Sequence, residues 1–171
     1  MKDSKTLYKL IILYLMDKVD FQISNGQICA FFADVEYTDY FTVQQTIADM
    51  LDSGFLTKTK VRNTTHYEMT ESGRETLRYF GDEISTAIQN DVVNYLKKNK
   101  LKMRNENSVI ADYSKIGEDS YIARLQVKEK TEMLVDLSIS VATERQAIRI
   151  CDQWQKKNVE VYQYLIKELL S

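Results

Sequence analysis

The chain has 171 residues, which is the size of one domain or of two small ones. Hydrophobic residues make up 44% and charged residues 28%, and this balance excludes a disordered, collagen-like or membrane-spanning protein. With 23 basic and 25 acidic residues the formal net charge is −2, so any nucleic-acid site must be a local patch of cations.

Side chains that support catalysis or metal binding are few. The two cysteines, Cys29 and Cys151, lie far apart in apolar helical patterns, which predicts two buried thiols rather than a disulfide or a metal site. The single histidine, His66, leaves no second imidazole for a metal site or a proton relay. The motifs of serine hydrolases, zinc proteases, P-loop proteins and dinucleotide-binding proteins are missing from the sequence. We therefore expect no enzyme activity and no cofactor.

An apolar run near the amino terminus, residues 10–16, follows two lysines, as a signal peptide would. No small-residue cleavage site comes after it, and its apolar residues have the spacing of a helix. We interpret this run as the first helix of a cytoplasmic protein, with Ser4 as its cap.

Two further helices, a β-hairpin and a fourth helix are predicted to follow. The hairpin is indicated by two runs rich in β-branched residues on either side of a polar tip at residues 62–64. Thr70 caps the fourth helix, which is expected to turn Leu77 and Phe80 inward. The predicted bounds are Ser24 or Asn25 to about Val35 for helix two, Thr38 or Asp39 to Gly54 for helix three, and Phe55 to Met69 for the hairpin.

This order of elements, and the stretch TVQQTIADMLDSGFLTKTKVRNTTHYEMTESGRETL in particular, resembles bacterial winged helix-turn-helix regulators of the PadR and MarR kind. The chain as a whole is similar to an uncharacterised winged-helix family, a domain of unknown function in which a second α/β half follows. The resemblance implies DNA binding, with the third helix in the major groove and the hairpin as the wing. It is carried by Gly54 with Phe55 and Leu56, by Tyr67, and by Thr70, Glu71, Gly73 and Arg74.

The second half of the chain predicts a long helix, a three-stranded antiparallel sheet and two helices. The helix runs from about residue 82 to 104, and the strands are expected at 109–116, 121–130 and 133–141, with a tight turn near 130–132. A capping box of Thr143 and Gln146 begins the next helix, and a final helix is expected from Asn158. The predicted fold class is thus α+β, with a winged-helix domain at residues 1–80 and a dimerisation or effector domain at 81–171.

One face of this sheet is predicted to be polar. The polar face could line a pocket for an effector, a small molecule or a protein of unknown identity, but cross-strand pairing is the simpler interpretation. Its side chains are Arg124, Gln126, Asp136 and Ser138.

Base reading is expected from polar side chains near the start of helix three. Glutamine can bind adenine with two hydrogen bonds, and threonine can contact the methyl group of thymine. An ordinary surface helix would carry the same residue types, and helix three has no Lys or Arg. Asp49 and Asp52 should therefore face away from DNA if the hypothesis holds. The candidate readers are Tyr40, Thr42, Gln44 and Gln45.

Phosphate contacts are expected from the hairpin, where no acidic residue occurs between Asp52 and Glu68. The alternative is that its lysines keep an exposed edge strand from aggregating. Residues 1–80 hold nine basic and eleven acidic residues, so the positively charged surface is confined to the hairpin. One copy of the chain should therefore bind DNA weakly. The basic run Lys97 to Arg104 is interpreted as a solvated helix end. The candidate phosphate contacts are Lys58, Lys60, Arg62 and His66.

The sequence thus predicts a transcriptional regulator that binds double-stranded DNA as a homodimer, without catalysis and without a membrane partner. The alternative is a winged helix that serves protein interaction or scaffolding and has lost DNA binding.

Overall fold

The computed structural model describes residues 3–129 and 132–171 and has mixed α+β structure with two three-stranded antiparallel sheets. The chain divides into two compact units, Met1–Arg104 and Asn105–Ser171. This division falls near the end of the long helix rather than at residue 80, where the domain boundary is predicted. None of the helices in the described residues combines the length and hydrophobicity that a membrane span requires.

Unit 1 consists of helices around a small sheet. Strand β3 lies at the centre of that sheet, with β1 on one side and β2 on the other. The elements are α1 (Ser4–Asp17), β1 (Ile23–Ser24), α2 (Asn25–Val35), α3 (Tyr40–Asp52), β2 (Leu56–Val61), β3 (Thr64–Met69), α4 (Glu71–Phe80), a 3₁₀ turn (Gly81–Glu83) and α5 (Thr86–Ser108), whose last residues belong to unit 2.

The helices of unit 1 begin where local polar side chains satisfy their free amide groups. Ser24, one of the two predicted caps of α2, forms a reciprocal capping box with Gln27. Thr70 caps α4 as predicted, since its hydroxyl accepts a hydrogen bond from the amide of Gly73. The cap of α1 is Asp3 and not Ser4, since the Asp3 carboxylate accepts from the amide of Lys5. Ser4 is already the first helical residue.

One apolar cluster holds unit 1 together. Helix α1 is the most deeply buried element, and α5 contributes Val92, Leu96 and Met103 to the same cluster. The long helix therefore packs with the amino-terminal unit as far as residue 103. Leu77 packs against this cluster as predicted, but the inward position predicted for Phe80 is wrong, because 51% of Phe80 is exposed at the end of α4.

Unit 2 is a three-stranded meander covered on one face by a single helix. The strands pair in chain order, and the inner face carries Ala111, Ala123, Leu125 and Val135 against Cys151 and Trp154 of the helix. The elements are β4 (Val109–Gly117), β5 (Ser120–Glu129), β6 (Glu132–Val141) and α6 (Glu144–Leu170). The turn predicted near residues 130–132 lies mostly outside the described residues.

The helix break predicted at Asn158 is wrong. Helix α6 runs through this position to Leu170, and the Asn158 side chain donates to the carbonyl of Trp154, 2.9 Å away, within the helix. On the outer face of the sheet Arg124 and Asp136 form a two-pronged ion pair with N···O distances of 3.1 and 2.9 Å. This hydrogen-bonded pair raises the pKa of Arg124 and lowers that of Asp136, as cross-strand pairing requires.

Candidate functional site

The outward face of α3 is formed by residues spaced three or four apart, opposite the buried stripe. Val43, Ile47 and Met50 anchor the helix in the core of unit 1. Because successive side chains are about 100° apart, the opposite face carries the exposed residues Phe41, Gln45, Ala48 and Asp52. Its first two turns are uncharged.

Gln45 and Gln44 are adjacent in sequence but occupy different environments. Gln45 is exposed on the outward face. Gln44 is half-buried, and its amide nitrogen donates to Asn25 Oδ1 and to Cys29 Sγ, each 3.1 Å away on α2. Asn25 Oδ1 also accepts from the Tyr67 hydroxyl of β3, at 3.2 Å. Gln44 thus ties α3 to α2 and, through Asn25, to the central strand.

The side chains around Gln44 and Asn25 include two groups, Cys29 and Tyr67, whose pKa is raised. Burial raises the pKa of the Cys29 thiol, and the hydrogen bond from Gln44 opposes this change without cancelling it. Burial also raises the pKa of Tyr67, with smaller contributions from the neighbouring side chains of Cys29 and Tyr40. Burial is thus the main influence on both of these groups.

The start of α3 is fixed by Asp39. Its carboxylate accepts from the amide of Thr42 at 2.8 Å, and this hydrogen bond holds the pKa of Asp39 below its usual value. Thr42 is half-buried, and its carbonyl accepts from the Thr46 hydroxyl at 2.7 Å. The one acidic residue at the entry to α3 is thus used as a helix cap.

Asp49 and Asp52 lie near Gln45 and not on the opposite side of α3. Their orientation away from DNA stays a prediction. Asp52 lies on the same exposed face, seven residues further along, and Asp49 lies one turn beyond Gln45 at the side of that face. An uncharged approach to α3 is therefore limited to its first two turns.

The two faces of the hairpin carry different side chains. Lys58 is paired with Tyr67 and Lys60 with Thr65, so both lysines lie on the face that continues from the buried Tyr67. Both lysines are exposed, because the hairpin extends beyond the core. His66 is paired with Thr59 and lies on the opposite face.

Arg62 occupies the hairpin tip. Its backbone is left-handed, with φ of 53°, where the chain reverses between β2 and β3. Lys58 is paired with Tyr67, and the Tyr67 hydroxyl donates to the same Asn25 oxygen as Gln44 of α3. This shared partner links the lysine face of the hairpin to α3. The structure does not bring His66 to that face.

Two features of this region were not predicted from the sequence. Phe41 is 81% exposed and stacks edge-on against Tyr40, with ring centroids 5.8 Å apart. Its position four residues before Gln45 could have shown that it shares the outward face. The second feature is β1, which pairs Ile23 with Tyr67 and is too short for a pattern to reveal.

The basic run at the end of α5 is partly exposed and partly ion-paired. Lys97 and Lys98 are exposed, whereas Arg104 is held by Asp20 in an ion pair of 3.0 Å. Within residues 3–129 and 132–171, no group of three or more His, Cys, Asp or Glu side chains is placed to hold a metal ion.

The fold and the surface define an α+β protein of two units, the first of which presents a short helix beside a lysine-bearing hairpin. The chain belongs to the family described as a domain of unknown function (DUF4364), which matches residues 8–169. No curated protein and no solved structure matches the chain.

Proposed function

We propose that this protein is a transcriptional regulator, working in the cytoplasm without catalysis, whose unit 1 is a winged helix that binds double-stranded DNA. Helix α3 enters the major groove with its first two turns, and the β2–β3 hairpin is the wing that contacts phosphates. The observation that carries the proposal is that Tyr67, on the lysine face of the hairpin, and Gln44, in the uncharged part of α3, donate to the same Asn25 oxygen. The element order and the pairing of β1 with β3 agree with the winged-helix resemblance.

Base reading falls to Gln45, which is exposed, with Thr42 and Tyr40 beside it. Gln44 has a different task in this proposal, because its donor group already binds Asn25 and Cys29. It holds α3 at the angle at which Gln45 can reach a base edge. Gln44 is thus a positioning residue, and base contact by Gln44 itself would require its present hydrogen bonds to break.

Phosphate contact falls to Lys58, Lys60 and Arg62, because binding to the DNA backbone depends on cations that release counterions. Asp39 is bonded within its own helix cap, and Asp52 lies about 10 Å along the axis from Gln45. An approach by the amino-terminal end of α3 keeps Asp52 away from the phosphates. His66, on the opposite face of the hairpin, is the weakest of the predicted phosphate contacts.

The test is the salt dependence of DNA affinity, measured by fluorescence anisotropy with a duplex found by selection from a random library. Changing Lys58, Lys60 and Arg62 together to glutamine should weaken binding to all sequences. Each lost phosphate contact lowers the slope of log K against log salt by about 0.9. The matched pair of variants is Lys58→Gln with Lys60→Gln and Lys97→Gln with Lys98→Gln, each removing two cations, and only the hairpin pair should lower the slope. An unchanged slope in the hairpin variant would remove the phosphate-contact role.

A second candidate function is protein interaction through the same surface. It is favoured by the exposed aromatic pair, since Tyr40 is 58% and Phe41 81% exposed, and by Asp52 on the outward face. Selection from the random library separates the two: a bound motif that is lost in Gln45→Ala supports DNA reading, whereas no enriched motif leaves the aromatic pair as a protein contact.

We also propose that the DNA-binding form is a homodimer built by the carboxyl-terminal unit. Helix-turn-helix proteins bind two half-sites as dimers, and one copy of unit 1 offers few cations. An effector, if one regulates this protein, has no assigned site.

A further inference from the structure

Unit 2 leaves part of its inner sheet face open. Helix α6 lies toward β4, where Tyr113 donates to Glu144 at 3.1 Å and Gln155 donates to the carbonyl of Val109 at 3.5 Å. A helix is about 10 Å across, and a three-stranded sheet is about 14 Å wide, so one helix cannot cover it. The uncovered part lies along β6, where Ile139 is 41% exposed.

The open strip forms a groove of about 450 Å³ between β6 and α6. Its floor is apolar, with Leu137, Ile139 and Val141 on the sheet, and Ile150 and Trp154 form the helix wall. Leu125, opposite Leu137 in the strand pairing, also lines the groove.

The polar edge of the groove is basic. Arg149, Gln153 and Lys157 follow one another at intervals of four residues along α6 and line this edge. Neither Arg149 nor Lys157 forms an ion pair within the described part of the chain. The groove therefore combines an apolar floor with two cations that have no acidic partner among residues 3–129 and 132–171.

The second half of α6 has the complementary surface. The 27-residue helix is about 40 Å long, and the apolar stripe that begins at Trp154 continues through Val161 and Leu165 to Leu169, which is 76% exposed. Glu160 and Glu168 lie beside this stripe and form no ion pair among the described residues. Val161 packs against the core of its own unit, whereas the stripe is half-exposed at Leu165 and open at Leu169. The end of α6 thus presents an apolar stripe with acidic flanks.

We propose that the groove of one copy is filled by the carboxyl-terminal half of α6 from a second copy, so that the two α6 helices lie antiparallel about a two-fold axis. Each sheet is then covered by two helices, its own and its partner's. Such an interface is self-complementary, because each copy supplies one groove and one helix end. The inference rests on the homodimer proposed above and identifies its surface.

The charges fix the register of the two helices. When Arg149 lies beside the partner's Glu168, Lys157 lies beside the partner's Glu160, because both pairs are symmetric about the same point of α6, next to Asn158. The same register brings the partner's Leu165 within one helical turn of Trp154. One antiparallel arrangement thus satisfies the two cations and covers the groove.

The test uses charge reversal on the full chain, followed by sedimentation or light scattering. Arg149→Glu and Glu168→Arg should each weaken the dimer by about tenfold, because each change puts two like-charged pairs into a symmetric interface. The double variant should restore the dimer, and an equimolar mixture of the two single variants should form a heterodimer. Residues 149 and 168 are about 28 Å apart on one helix, so restoration can come only from contact between copies.

Two further variants complete the experiment. Lys156→Glu changes an exposed cation of α6 that does not line the groove, and it should leave the dimer unchanged. Ile139→Asp places a charge on the groove floor and should give a monomer whose circular dichroism spectrum matches that of the wild type. A monomeric wild type at tens of micromolar, about the usual assay concentration, or single variants that dimerise normally, would overturn the inference.

Failure of this inference and failure of the proposed function can be told apart. A dimer that resists every α6 and β6 change removes the groove assignment and leaves DNA binding to be tested by anisotropy. A dimer that responds as expected but enriches no DNA sequence keeps the groove assignment and removes the regulator. Should a small apolar anion fill the groove instead, the wild type would remain a monomer, and that outcome rejects the second copy as the occupant.

Discussion

Replacing the two adjacent glutamines of α3 one at a time separates an effect on stability from an effect on DNA binding. The sequence alone predicts that replacing either with alanine hardly changes stability, because both lie off the apolar stripe. The structure changes this expectation for Gln44, whose amide makes hydrogen bonds of 3.1 Å to Asn25 and to Cys29. We expect Gln44→Ala to destabilise unit 1 and Gln45→Ala to leave it unchanged.

The magnitude follows from what each truncation removes. A neutral hydrogen bond contributes a net 0.5 to 1.5 kcal/mol, and sulfur is a weak acceptor, so Gln44→Ala should cost about 1 to 2 kcal/mol. Asn25 Oδ1 keeps its bond from the Tyr67 hydroxyl at 3.2 Å, which limits the loss. Gln45 is exposed, and its replacement should stay within about 0.5 kcal/mol of the wild type. For DNA affinity on the selected site, Gln45→Ala should cost about 1 to 3 kcal/mol.

Urea unfolding followed by circular dichroism measures the first quantity, with an unchanged m value as the condition for comparing midpoints. A double-mutant cycle with Asn25→Ala isolates the bond between the two amides, and we expect a coupling of about 0.5 to 1.5 kcal/mol. Equal midpoints for the wild type and both glutamine variants would refute the positioning role of Gln44. Loss of DNA sequence preference in Gln44→Ala without loss of stability would return base reading to that residue.

Two further predictions concern backbone packing and pH. A Cβ on Gly73 would lie 2.5 Å from the carbonyl oxygen of Phe55, so Gly73→Ala should lower the free energy of unfolding by about 1 to 3 kcal/mol through overpacking, which exceeds what the helix gains from alanine. The control is Gly26→Ala, whose Cβ would have nothing within 4 Å and which should be neutral or stabilising. Urea unfolding measures both. The hydrogen bond from the Thr42 amide holds the pKa of Asp39 below the value of about 3.9 usual for aspartate. This stabilisation is therefore complete above about pH 4 and is lost as the pH falls through the folded value. Asp39→Asn keeps the cap without the titration. Between about pH 5 and pH 3, roughly one unit either side of the usual aspartate pKa, the urea midpoint of this variant should therefore fall less than that of the wild type.

Local chemistry made much of the fold predictable. Ser24 and Thr70 cap helices where the sequence places them, because a hydroxyl before an apolar periodic run satisfies nearby amide groups without help from the rest of the chain. The hairpin and the three-stranded meander follow from alternation and turn residues in the same way.

Features that depend on distant contacts were not predictable. Strand β1 has two residues and exists because Ile23 pairs with Tyr67, which is far away in sequence. The role of Gln44 is set by α2, so spacing along α3 alone could not separate it from Gln45. Asn158 looked like a helix start, but its side chain donates within α6 to the Trp154 carbonyl, a bond that leaves the helix uninterrupted.

The charge distribution links the two proposals physically. A single hairpin offers three cations, Lys58, Lys60 and Arg62, and α3 offers none. With about 0.9 counterions released per contact, one copy should give a slope of about 2.7 and a dimer about 5.4. Lowering the salt fourfold would then raise the affinity about 40-fold for one copy and about 10³-fold for two. A net charge of −2 adds a general repulsion that one hairpin overcomes poorly. Under the proposed function, DNA binding should therefore depend on bringing two hairpins onto one duplex. A variant such as Arg149→Glu, which lies in unit 2, should consequently reduce the salt slope together with the dimer.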